Sequence, residues 1–494
     1  MFNKMIENKI RSLSKKDFFI YPDSFRQDKE TLFFMVKGTQ NKYLGIAGNK
    51  DIINSYGFSS GALPDIRMED EGISIAFFEK NNTNLQKITR AFPSLLPSAL
   101  GQKTSFGFGD RLGIATPAHI RVINQQGKIL PVFAQQSVRE LEKTHRSFRD
   151  VIGCAIWNIF QEGYRGSWGA DADHIKDRRY FEISAEEGIT MFTLDTSEVL
   201  DEKVLHMNTS SINSSYDLNS DLIKDSKNQY MEKRHNAGGY RFNFNEETVI
   251  KLALTYGKAL DFVVEIFELL KSRKSSFDYE VSFDETNAET SPEAHYFIAS
   301  WMKEKGVEFS SLALRFPGVF EKGIDYRGDI NQFEESAKIH GEIARNIGGY
   351  RLSLHSGSDK FSVYPAFNKN TRGFFHIKTS GTSWLEAVRV IAVASPDLFK
   401  ELFNIAIDTF EENKKAYHVN LDYKDLPKSI EHLKDEQFPD LIDDYNLRRA
   451  FHIAYGSILD RKREELYRVL FENESLQYKY LIYNFKKHFD ALNN

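Results

Sequence analysis

Eight short apolar runs in the sequence each end in residues that can bind a metal, move a proton or hold an anion. Their C-terminal ends carry Asp110 and Arg111, Gln135 and Gln136, Asp173, His174 and Lys176, Asp195, Asp284 and Glu285, Arg315, His355, and His376 with Lys378. One polar residue at such a place is most often a solvated loop start. Eight ends of the same kind, three of them carrying histidine, point to a functional mouth in which titratable groups gather. Most of the 13 histidines have no claim on a metal, but His174, His355 and His376 each stand at a run's end. Three imidazoles at one rim would hold a divalent cation and leave a position open for substrate. Zinc heads the candidates, with manganese, nickel or cobalt suited to the same donors. The alternative set keeps two of the three histidines and adds a carboxylate such as Asp284.

The loops HSGSDK (355–360) and KTSGTSW (378–384) are rich in glycine and hydroxyl residues, Ser356 among them. With a helix starting near Thr382, their backbone N–H groups suit a carboxylate or phosphate. An ordinary turn with a Ser/Thr N-cap fits equally well. Neither GxxxxGK[ST] nor GxGxxG occurs, so no nucleotide cofactor is indicated.

These ends need elements to position them. The runs are 104–113, 128–137, 169–176, 190–198, 277–286, 309–316, 350–360 and 373–384, most followed by a helical pattern such as 137–162, 246–273, 291–305 or 330–347. Alternating strands and helices predict a parallel sheet, and eight repeats over 101–385 predict an α/β fold of (β/α)8 TIM-barrel type. Two irregularities stand out. Residues 199–245 form a polar insertion, a candidate lid, and 361–372 is too short for an ordinary crossover helix. Residues 1–100, with runs TLFFMVKG and GISIAFFEK and a turn cluster YGFSSGALPD (56–65), read as an α/β accessory region. Residues 386–494 read as a C-terminal helical region packing on the barrel.

At 494 residues the chain is too large for one simple core, and 41% hydrophobic residues supply enough apolar mass to bury. Lys+Arg 65 against Asp+Glu 70 leaves a net charge of −5, which gives no cationic drive toward nucleic acid or anionic membrane. The N-terminus lacks a secretory apolar core, and no run reaches 18 apolar residues. A lone Cys154 fits a reducing, cytoplasmic setting. A soluble enzyme is expected, with a homo-oligomer left open.

DADHIK (171–176) resembles the Asp-His pair of class II, metal-dependent aldolases. Several further blocks together resemble the tagaturonate epimerase family of hexuronate catabolism: GFGDRLGIATPAHI (107–120), PVFAQQSVRE (131–140), GADADHIK (169–176), EVSFDETNAETSPEAHYFIA (280–299), LRFPGVFEKGIDYRGD (314–329), LSLHSGSDKFSVYP (352–365), HIKTSGTSWLEA (376–387) and DYNLRRAFHIAYGSIL (444–459). The resemblance implies a metal-dependent epimerase interconverting D-tagaturonate and D-fructuronate by retro-aldol cleavage and re-addition. It implies His174, His355 and His376 as metal ligands and Asp173 as the group exchanging a proton with the β-hydroxyl. Asp284 or Glu285 is then a second proton-transfer group or a fourth ligand. Lys176, Arg315 and Lys378 are the candidates for the substrate carboxylate, Ser356 for anion binding, and Gln135, Asp110 and Asp195 for substrate hydroxyls. The competing readings are an aldolase that releases its fragments, a tagatose/fructose epimerase, and a sugar-acid-binding protein without catalysis.

Overall fold

The computed structural model describes residues 7, 8, 10, 18–59, 61–68, 72–417 and 419–493. The chain starts with a six-stranded antiparallel sheet: β1 (Phe19–Ile20), β2 (Arg26–Asp28), β3 (Thr31–Lys37), β4 (Lys42–Gly48), β5 (Gly61–Met68) and β6 (Ile73–Glu79). The turn expected over 56–65 gives way at Gly61 to β5, an edge strand. β5 pairs with β6 through two register shifts, which is how a segment holding Pro64 enters a sheet. Strand periodicity sends β3 to two cores. Phe33 and Met35 join the apolar cluster that continues into the barrel, while Leu32, Phe34 and Val36 pack with Ile73, Ile75 and Phe77 on the other face.

All eight predicted runs form the strands of a closed parallel barrel. They are β7 (Ser105–Phe108), β8 (Leu130–Ser137), β9 (Gly169–Ile175) and β10 (Met191–Asp195), then, after a hairpin of β11 (His235–Ala237) and β12 (Tyr240–Phe242), β13 (Asp278–Ser282), β14 (Ser311–Ala313), β15 (Arg351–Leu354) and β16 (Phe375–Thr379). Sequential strands are neighbours, β10 reaches β13 across the insertion, and β16 closes on β7. The insertion holds short helices and the hairpin.

Two helix expectations change. The stretch 137–162 is two helices, Val138–Thr144 and Phe148–Gln161, because His145 takes the left-handed conformation (φ 54°) and Ser147 begins a new capping box with Asp150. Residues 361–372, judged too short, carry the helix Tyr364–Thr371. β15 has four residues, rising about 13 Å, so eight helical residues rising about 12 Å suffice to return.

Beyond the barrel helix Thr382–Ala394 lie Pro396–Asp408, Phe410–Lys414, Tyr445–Glu472 and Glu474–Asn493. Leu385, Val388 and Ile391 of the barrel helix share a second core with Phe399, Phe403, Phe451 and Ile458. The last helix returns to the barrel wall, where Phe485 and Phe489 stand against Phe108 and Phe106 at ring centroids 5.1 and 4.9 Å. Among the described residues no helix is long and apolar enough to cross a membrane.

Candidate active site

Branched aliphatics usually fill a barrel of this type. Here charge fills it. The Lys378 ammonium lies 2.7 Å from Asp171, 2.8 Å from Asp173 and 2.9 Å from Glu280, and donates to Thr193 as well. Burial opposes the charge, but the three carboxylates outweigh it and hold the Lys378 pKa well above the usual lysine range. Burial pushes Asp171 up to about 7 despite Lys378. Glu280, equally buried, is held well below the carboxylate range by Lys378 and His355. Acids outnumber fixed cations around this lattice, and buried charge must be balanced.

Above the lattice the balance falls to two histidines. β9 carries a bulge: Asp171 and Ala172 pair with Met191 and Phe192, but Ile175 pairs with Leu194, so Asp173 and His174 together oppose Thr193. His174 sits at φ 52° within this bulge. Alternation alone would turn it away from Asp173's side, and the bulge re-aims its ring into the mouth at a local cost of about 1–3 kcal/mol. Its Nδ1 bonds Asp173 Oδ1 at 2.8 Å, while Nε2 faces Asp284 (4.0 Å) and Glu285 (3.9 Å). His355, just past β15, repeats the arrangement. Its Nε2 meets Glu280 at 2.7 Å and its Nδ1 faces Asp284 at 3.0 Å. Candidate ligand atoms of His174, Asp284 and His355 all lie within 4.8 Å of one another. Each ring thus offers one nitrogen inward and fixes the other on a carboxylate, the outer-shell pattern of metal-binding histidines. Without a cation, burial opposes the charge on both rings, but Asp284 and Glu280 push His355 up to about 10, and Asp173 raises His174. The donor set therefore fits a divalent cation.

A cavity of about 660 Å³ opens over this cluster. Gln135, Asp173, His174, Lys176, Asp195, Asp284, Glu285, Arg315, Ser356 and Lys378 line it. The structure does not bring His376 to the cluster. It stands two residues before Lys378 on β16, on the same inward face but about 7 Å deeper. There its Nδ1 shares a 2.8 Å hydrogen bond with Ser105, and burial pushes its pKa down to about 3. Asp284 occupies the place expected for it. Asp110 does not line the cavity either, since its carboxylate accepts the backbone N–H groups of Gly113, Ile114, Ala115 and Thr116 and so organises a loop. Lys378 is consumed by the lattice and is no free carboxylate receptor. Lys176 stands 3.6 Å from Asp195 and 3.5 Å from Glu198. Gln135 donates to Thr379 O, and among the described residues its Oε1 has no partner; Gly107 makes room for it, since a Cβ there would stand 1.8 Å from that oxygen. The strand ends alone miss Asp171 and Glu280, although GADAD sets Asp171 on the alternation of Asp173, and DYEVSFD sets Glu280 on that of Asp278 and Asp284. It also misses Arg139 and Lys322, which line the cavity from a helix and a loop.

The model of a family described as tagaturonate epimerase matches residues 21–492. The chain belongs to the tagaturonate epimerase family. Members are isomerases acting on carbohydrates. Relatives of tagaturonate epimerase type extend along the whole chain. A tagaturonate/fructuronate epimerase of Thermotoga maritima is 42% identical over 477 residues, 96% of either chain. A glycerol-complexed crystal structure of the fructuronate-tagaturonate epimerase of Cohnella laeviribosi superposes with TM-score 0.91 at 34% identity, covering 100% of this chain and 99% of that one. The native crystal structure of the same enzyme gives TM-score 0.91 at 35% identity over 99% of each chain.

Proposed function

We propose that this epimerase interconverts D-tagaturonate and D-fructuronate by retro-aldol cleavage and re-addition, with a divalent cation, zinc first, held by His174, His355 and Asp284. The observation that carries the reading is the pair of histidines sharing Asp284 while Asp173 and Glu280 fix their outer nitrogens. The two ketouronates differ at the carbon β to the ketone, whose C–H that carbonyl does not acidify, so direct proton abstraction cannot invert it. Breaking the bond between the α and β carbons, turning the aldehyde half and re-forming the bond on its other face does. When bound, the cation polarises the ketone and stabilises the negative charge left by cleavage.

The chain's own residues supply the rest. Glu285, 31% exposed in its side chain and without a hydrogen-bond partner among the described residues, takes the β-hydroxyl proton and returns one after re-addition. Asp173, given proton transfer in the sequence reading, has Oδ1 committed to His174 and Lys378, and acts by orienting the ring. The unpartnered Gln135 oxygen receives a substrate hydroxyl. Proton NMR of the protein with D-tagaturonate tests the reading. D-fructuronate should appear, stop with EDTA and return with added zinc or manganese; undiminished conversion in chelator would remove the metal from the mechanism.

A further inference from the structure

The loop after β14 presents Lys322 in an unusual way. Lys360, fully buried, donates its ammonium to the carbonyls of Glu321 and Ile324. Arg448 donates to Gly323 O at 2.6 Å, and Arg449 bonds the Glu321 carboxylate at 2.9 Å. Gly323 itself needs φ +84°, a conformation other residues adopt poorly. Three buried cations thus pin residues 321–324, while Lys322, at the centre of the pinned segment, lines the mouth cavity. Among the described residues its ammonium has no hydrogen-bond partner and no carboxylate in ion-pair range. Beside it stands Arg139, whose guanidinium lies 4.3 Å over the Tyr417 ring and donates to Ala416 O, leaving Nε without a partner. Burial and the Arg139 charge both press the Lys322 pKa below the lysine range, partly offset by Glu285. Two cations fixed side by side at a cavity wall repel each other until an anion joins them.

We propose that Lys322 and Arg139 form the subsite for the substrate carboxylate and hold the aldehyde-acid half while it turns. The proposal rests on the ketouronate reading above. Cleavage breaks the bond between the α and β carbons, gives the β-hydroxyl proton to Glu285 and leaves the electron pair on the three-carbon half that held the ketone. The other half is a three-carbon aldehyde acid, and nothing is oxidised or reduced overall. That fragment has no remaining covalent tie, and its carboxylate is its only permanent charge. A single ammonium on a four-carbon stem grips the carboxylate without fixing the torsion beyond it, so the aldehyde can present either face. Arg139, clamped on Tyr417, supplies the fixed side of the grip.

The test is Lys322→Gln, Lys322→Arg and Arg139→Gln, assayed with D-tagaturonate in the metal-loaded enzyme by NMR, with a hydrazide to capture free aldehyde acid. Lys322→Gln should raise KM about 10- to 100-fold, as loss of a hydrogen bond to a charged group does, and release captured aldehyde that the unmodified enzyme does not. Lys322→Arg should keep KM within about fivefold. Arg139→Gln should raise KM and leak as well, which carries the test if Lys322→Gln fails to fold. No conversion by the unmodified enzyme would defeat the ketouronate reading itself. Normal conversion by that enzyme, together with unchanged KM and no leak in both Gln variants, would overturn the subsite alone. A fall in kcat at constant KM would also overturn it, by making Lys322 a proton-transfer group.

Discussion

At the barrel mouth His174 and His355 stand with ring centroids 4.6 Å apart and planes inclined at 55°; between the outer helices Pro292–Glu304 and Ile330–Ile347, His295 and His340 stand 5.0 Å apart at 52°. Ring geometry hardly separates the pairs, but their partners do. The mouth rings face Asp173, Glu280 and Asp284. The outer rings share a 2.9 Å Nδ1 to Nδ1 hydrogen bond, and His295 Nε2 bonds the Tyr350 hydroxyl at 2.6 Å, with no acid. A shared Nδ1 contact needs one donor and one acceptor, so the two outer rings cannot both be protonated. Burial accordingly pushes His340 down to about 4, while the carboxylates push His355 up to about 10. Paired histidines therefore mark a cation site only where acids hold their outer nitrogens.

The sharpest way to break this contrast is to remove a mouth ring. His355→Ala should lose bound metal, read by elemental analysis, and lower turnover about 1,000-fold or more; full activity without metal would end the assignment. Next comes the outer partner. Glu280→Gln keeps the shape but weakens the carboxylate's hold on His355, and such changes cost about 10- to 100-fold in metal affinity or activity. His376 provides the opposite control. Its Nδ1 is spent on Ser105 one layer down, so His376→Gln should retain a full metal complement. Loss of metal equal to that of His355→Ala would restore the three-histidine site.

Much of this was legible in the sequence. Every barrel strand announced itself as a short apolar run with a polar end, because the strand must pass a packed wall and then open into the mouth. What periodicity could not supply was depth and local aim. His376 and Lys378 share a face, so nothing in the spacing says which one reaches the rim. The bulge that turns His174 inward depends on pairing with β10, which no single strand encodes. Asp284 and His355 meet across β13 and β15, strands more than sixty residues apart in sequence. Asp110 ends a strand as a catalytic acid would, yet its oxygens go to four backbone amides that only the folded loop assembles. Lys322 lies in a loop with no repeat at all, and its meaning comes from the cations that pin its neighbours.

Metal loading should separate the two pairs by proton count. In the metal-free protein the carboxylates hold His355 protonated at neutral pH and raise His174, so cation binding expels protons and affinity climbs with pH. Calorimetric titration of zinc at pH 7.5 in buffers of different ionisation enthalpy should report release of one to two protons per metal. A zero intercept difference between buffers would mean that the rings are already neutral.

The smallest effect belongs to the outer pair and touches stability alone. A histidine whose folded pKa lies below its unfolded value contributes stability that is complete above pH 6.5 and lost as pH falls toward the folded value. For His340, held at about 4, that window is pH 6.5 to 4, and at about 1.4 kcal/mol per unit the loss is of order 3 kcal/mol. His355 acts in the reverse sense in the metal-free protein: its contribution is whole below pH 6.5 and fades as pH rises toward 10. Urea unfolding at pH 7 and pH 4.5 should therefore show a falling midpoint, and His340→Asn, which keeps a polar partner for His295, should flatten that fall while leaving turnover at pH 7.5 within about twofold. An equal fall in both proteins would place the acid sensitivity in the other buried neutral histidines, His119 held at about 4 and His376 at about 3, because Glu474 beside Lys42, held at about 2, loses its share only below pH 4.5.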